Sequence, residues 1–82
     1  MVRKPLSELK PGQVGVIVDI VGGSPRLRRR ILDMGLVRGT KIKVVRAAPL
    51  KDPIEFQTSG YNLSLRRDEA KNIIVEVVER RA

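Results

Sequence analysis

The sequence predicts a small, mainly β domain: five short antiparallel strands curled into a barrel, with one α-helix inserted after the first strand. Three observations predict it. Most apolar residues alternate with polar ones, the period of a strand with one buried face. A single stretch, from Ser24 to Gly35, carries helix signals instead. The chain has only 82 residues, so a sheet with two faces to cover must curl on itself to build a core.

The elements follow in order. Pro5 to Gly12 reads as a bend closed by the turn dipeptide Pro11-Gly12. Val14, Val16, Val18 and Ile20 then alternate with Gly15, Ile17 and Asp19, marking a strand whose valine phase is expected to face the core. Gly22-Gly23 ends it. Ser24-Pro25 opens the helix, since serine is a favoured N-cap and proline is tolerated at the first helical position. Leu27, Ile31 and Met34 form one stripe over Pro25 to Met34, and Gly35 is expected to stop the helix with a positive φ. Lys41–Val45, Ile54–Thr58 and Tyr61–Leu65 are strands, the last two joined by a hairpin at Ser59-Gly60. Arg66–Lys71 is long enough for a single helical turn, and Ile73–Val78 is the closing strand. A helical turn before the last strand is a feature of SH3-like barrels. Residues 1–82 are thus one domain, with a core over about 5–78 and a polar tail at 79–82. The expected core includes Val16, Val18, Leu27, Ile31, Ile42, Val44, Phe56, Leu63, Val75 and Val77.

Composition narrows the function. Cysteine and histidine are absent, which removes thiol nucleophiles, the usual neutral-pH acid/base and the commonest transition-metal ligand. No enzyme activity, catalytic residue, cofactor or metal site is expected. Of the remaining carboxylates, Asp68-Glu69 are the closest pair, and they are expected to cap the short helical turn. No apolar run reaches the length of a signal-peptide core or a membrane span, so the expected location is the cytoplasm. The net charge of +8, from 17 Lys+Arg against 9 Asp+Glu, points to an acidic partner. Nucleic acid is disfavoured because base-stacking barrels carry several aromatic platforms, and here there is one Phe and one Tyr.

The helix holds the most informative charges. Arg26, Arg28, Arg29 and Arg30 crowd its first half and Asp33 sits in its last turn. A helix dipole favours the opposite arrangement by about 0.3–1 kcal/mol per exposed charge, so helix stability does not account for them. At about 100° per residue, Leu32 points away from the Leu27–Ile31–Met34 stripe and lies beside Arg28 and Arg29. Arg28, Arg29 and Leu32 are therefore the candidate partner-binding residues: an apolar anchor between two cations. The bland alternatives are solvated, screened charges and a leucine that is either singly exposed or covered by the Ala48 to Pro53 loop.

Four stretches resemble one family. Arg29-Arg30-Ile31-Leu32-Asp33-Met34-Gly35-Leu36, followed by Gly39-Thr40, is similar to the signature of the ferrous iron transport protein A family. Leu6 to Leu9 with Pro11-Gly12, Ala48 to Ile54, and Leu65 to Ala70 with Ile73 and Val75 resemble its opening, central loop and close. The resemblance covers about residues 5 to 78. It implies an SH3-like barrel and a cytosolic accessory role beside the large FeoB-type membrane GTPase permease for ferrous iron. The same module closes iron-dependent repressors related to the diphtheria toxin repressor. That leaves an alternative expectation: a basic nucleic-acid-binding or metal-dependent regulator module.

Overall fold

The computed structural model describes residues 2–78; the predicted tail at 79–82 lies outside them. Its elements are β1 (Arg3–Pro5), a 3₁₀ turn (Leu6–Glu8), β2 (Val14–Ile20), α1 (Pro25–Asp33), β3 (Lys41–Ala47), β4 (Ile54–Thr58), β5 (Tyr61–Leu65), α2 (Arg67–Ala70) and β6 (Ile73–Val78). The strands form one antiparallel sheet in the order β1-β6-β2-β3-β4-β5. All the expected strands are present, with α1 after the first of them and a helical turn before the last. The short strand β1 is an addition. It pairs Arg3, Lys4 and Pro5 with Glu76, Val75 and Ile74, a long-range pairing that a three-residue segment ending in proline does not announce. None of the described helices is long and apolar enough to cross a membrane.

The sheet's two edges, β1 and β5, are drawn together by one side chain. The Arg67 guanidinium follows β5 and donates to the Ser7 carbonyl, which follows β1, at 2.8 Å. Its Nε and Nη2 also donate to the Lys51 carbonyl at 3.1 and 2.9 Å. The Arg67 backbone N–H donates to Asp52 Oδ1 at 2.9 Å. A planar guanidinium offers several donors in a fixed fork, so one side chain can hold two segments in register. The seam of the barrel therefore joins the 3₁₀ turn, the β3–β4 loop and α2.

Inside lie Leu6, Ile17, Ile31, Leu36, Ile42, Val44, Ile54, Phe56, Leu65, Ile73 and Val75, all essentially without solvent exposure. Most of the expected core is here or packed against it, including Leu27, Leu63 and Val77. The phase of β2 is the exception. Gly15 and Ile17 face inward, and Val16 and Val18 are half-buried on the opposite face. Close packing selects this phase. A Cβ built on Gly15 would lie 2.8 Å from Val75 Cβ and 3.3 Å from Leu9 Cδ1. Only a residue without a side chain lets β2 approach β6 there, and Ile17 then falls into the core. A bulge between Ile17 and Asp19 restores an inward-facing Ile20 opposite Ile73.

Candidate docking surface beside the helix

Helix α1 starts and stops as its residues dictate. Ser24 Oγ accepts from the Leu27 N–H at 3.1 Å, and Pro25 occupies the first turn. At the other end the Leu36 N–H donates to the Ile31 carbonyl at 3.2 Å and the Gly35 N–H to the Leu32 carbonyl at 2.9 Å. This is a Schellman closure, and it places Gly35 at φ +82° as expected. Leu36 folds back into full burial beside Ile31. The Tyr61 hydroxyl donates to the Met34 carbonyl, tying the helix end to β5.

The chain then turns sharply onto β2. Gly39 N–H donates to the Ile17 carbonyl at 2.7 Å, and Ile17 N–H donates to the Thr40 carbonyl at 2.9 Å. Thr40 Oγ1 reaches the Gly35 carbonyl at 3.3 Å. Gly39-Thr40 thus holds the segment after α1 against the sheet, leaving Val37 and Arg38 facing out. Between this segment, α1 and the end of β2 lies a shallow groove of about 210 Å³, lined by Ile17, Asp19, Ile20, Arg28, Leu32, Val37 and Arg38.

Two of the three candidate residues meet in this groove. Leu32 is 51% exposed on its wall. Arg28 lies beside it, its Nη2 3.4 Å from the Ile20 carbonyl. Arg29 is exposed on the same helix but does not line the groove. Sequence reasoning missed Val37, 46% exposed, and Arg38. They reach the site only because the helix closes in a fold-back, and the Gly35-Leu36 stop was the signal that could have placed them.

The other cations divide. Arg30 pairs with Glu69, which also accepts the Arg66 N–H at 2.9 Å and so caps α2. Of the two carboxylates expected to cap the turn, Glu69 makes the capping bond, and it is also committed to Arg30. Arg67 is used in the barrel seam, and Lys41 and Lys43 lie on β3 and do not line the groove. Among the described residues no three His, Cys, Asp or Glu side chains gather to hold a metal ion.

Comparison with known proteins decides what this barrel is. A model of the FeoA domain matches residues 4–77. The chain belongs to the FeoA domain family. It is 47% identical over 77 residues to the Fe(2+) transport protein A/Fe(2+) transporter FeoB fusion protein of Porphyromonas gingivalis, a match covering 94% of this chain and 9% of that protein. The chain therefore spans less than a tenth of that relative's length. The solution structure of a FeoA-like protein from Clostridium acetobutylicum superposes with a TM-score of 0.88 at 40% identity, over 100% of this chain and 94% of that one. FeoA of Stenotrophomonas maltophilia, described as an SH3 domain protein and solved in complex with zinc, superposes with a TM-score of 0.75 at 27% identity, over 87% of each chain. The FeoA barrel seen here is of that SH3-like type.

Proposed function

We propose that this FeoA domain is an accessory module of ferrous iron uptake that docks on the cytoplasmic part of a FeoB-type membrane GTPase permease, acting by binding and not by catalysis. The observation that carries this reading is the Porphyromonas gingivalis relative, in which the two names belong to one fused protein. Fusion holds two modules at an effective concentration on the order of millimolar, the arrangement expected when function depends on their contact. The domain works in the cytoplasm and meets the bilayer only through the permease.

The docking residues are Arg28, Arg29 and Leu32, with Val37 and Arg38 completing the groove. Exposed cations mainly speed encounter with an acidic surface, and a desolvated apolar anchor mainly slows release. The test is surface-plasmon binding to the permease's purified cytoplasmic domain. Arg28→Glu with Arg29→Glu should lower the association rate and flatten its salt dependence. Leu32→Asp should raise the dissociation rate while the barrel stays folded, because half of that side chain is already in water. If both variants fold and restore iron uptake to a deletion strain as well as wild type does, this helix is not the docking surface. Duplex DNA is the control: tight binding by wild type, lost in parallel in both variants, would favour a nucleic-acid module instead.

A further inference from the structure

The groove uses only one end of β2. The strand as a whole is apolar in both phases: Val14, Val16, Ile17, Val18 and Ile20. Such a run suits a strand covered on both faces. The chain itself covers one. Ile17 faces the core, and the half-buried apolar side chains packed on that core are Ile20, Leu27, Met34, Ala47, Leu63 and Val77. Val14, Val16 and Val18 are on the other side.

Register shows what surrounds them. Val14 is opposite Lys43 on β3 and Val78 on β6, and Val16 is opposite Lys41 and Glu76. Cross-strand partners share a face of the sheet. The bulge sets Val18 near Ile74, which pairs with Asp19. The outer face therefore carries a stripe of Val14, Val16, Val18, Ile74 and Val78, with Glu76 set between Ile74 and Val78 on β6, Asp19 beside Ile74, and Lys41 and Lys43 as a rim along β3. Val78 is 38% exposed. The ion pairs among the described residues are Arg3–Glu76, Arg30–Glu69 and Arg46–Glu55. They neutralise Glu76, which stands within the stripe opposite Val16, and leave both rim lysines out.

We propose that this outer face extends the docking surface: an acidic segment of the permease's cytoplasmic part lays aliphatic side chains on the valine stripe and carboxylates on Lys41 and Lys43. The inference rests on the docking reading above and adds a second contact area to it. Charge complementarity selects the occupant. A second copy of a chain with net charge +8 would be repelled and would bring further lysines to the rim. Nucleic acid would need stacking platforms, whereas Phe56 is buried and no aromatic stands on this face. A lipid surface favours side chains that project into it, and these valines are half-sunk in a sheet. The outer face meets the groove at Asp19, which pairs with Ile74 and also lines the groove. One partner can therefore span both.

Calorimetric titration of the full chain with the permease's cytoplasmic domain tests this. Lys41→Glu with Lys43→Glu should weaken binding at least tenfold more than the charge-matched control Lys10→Glu with Lys71→Glu. Val14→Thr with Val16→Thr, which preserves side-chain shape and strand preference, should weaken it several-fold. If the glutamate pair does not fold, Lys41→Ala with Lys43→Ala is read in the same way. Equal affinity for the rim and control pairs overturns the outer face; the groove reading then still stands if Leu32→Asp weakens binding. Absence of wild-type binding overturns both. A wild-type dimer in sedimentation that the rim variants disperse would make the occupant a second copy and overturn the proposal.

Discussion

The closing turn of α1 and the outer face of β2 carry the same class of side chain and treat it in opposite ways. At the helix end, Ile31 and Leu36 are fully buried, and Gly35, Tyr61 and the Arg30–Glu69 pair fix the backbone around them. On β2, Val14, Val16 and Val18 are partly exposed and are not among the apolar side chains packed on the core. The difference is one of available partners, not of hydrophobicity. A helix with a charged face has one apolar stripe and one way to bury it. A strand that is apolar in both phases has two, and the small domain has side chains enough to cover only one. What picks the covered phase is Gly15, whose missing side chain admits Val75 and Leu9.

The sharpest way to break that comparison is to mutate neighbours on β2. Ile17→Ala should cost about 2–5 kcal/mol, the range for truncating a buried aliphatic side chain. Val16→Thr, on the outer face, should cost under about 1 kcal/mol in the isolated domain. Urea denaturation of the two variants measures both, and similar losses would mean the outer face is as structural as the core. At the helix end, Gly35→Val should cost about 2 kcal/mol from the left-handed penalty alone. A Cβ there would also stand 3.1 Å from the Tyr61 hydroxyl. An unchanged melting temperature would deny Gly35 its role in closing the helix.

A smaller effect is expected at the seam. Arg67→Ala removes the bonds to the Ser7 and Lys51 carbonyls and should cost about 1–2 kcal/mol, because the exposed Lys51 carbonyl regains water whereas buried Ser7 does so only in part. Arg67→Lys should recover little of it, since an ammonium cannot span both carbonyls as the fork does. Hydrogen exchange should quicken in the β3–β4 loop and the 3₁₀ turn together. Quickening confined to one of them would show that Arg67 does not couple the two edges of the barrel.

Local chemistry was legible in the sequence and long-range chemistry was not. Ser24-Pro25 and Gly35 bound the helix to within a residue, and Ser59-Gly60 placed the β4–β5 hairpin, because each acts on its own few neighbours. β1 was invisible, since its pairing is with β6 at the other end of the chain. The role of Arg67 was equally invisible, because its acceptors are the carbonyls of Ser7 and Lys51, distant in the chain. In the docking groove, Arg28 and Leu32 could be placed by helical geometry, whereas Val37 and Arg38 arrive through a fold-back onto β2. The β2 phase failed for a different reason. Periodicity reports which residues share a face, and when both phases are apolar it does not say which face is inside. The buried glycine held that information, as a position of close approach.

The smallest expected effect separates the two roles of Glu69. Its Oε1 accepts the Arg66 N–H and caps α2, and its Oε2 meets Arg30 on α1. Glu69→Gln keeps an acceptor for the cap and removes the charge; Glu69→Ala removes both. The Arg30 side chain is 55% exposed, so water and salt screen the pair. A double-mutant cycle of Arg30→Ala with Glu69→Gln should give a coupling of about 0.2–1 kcal/mol that shrinks in high salt. Glu69→Ala should exceed Glu69→Gln by about 0.5–1 kcal/mol, the loss of a helix cap. These small values follow if burial of Ile31 and Leu36 holds α1 in place and the ion pair only trims its orientation. A coupling above about 2 kcal/mol would reverse that order. The helix end would then be held by charge, and its contrast with the partly exposed valines of β2 would no longer be one of packing.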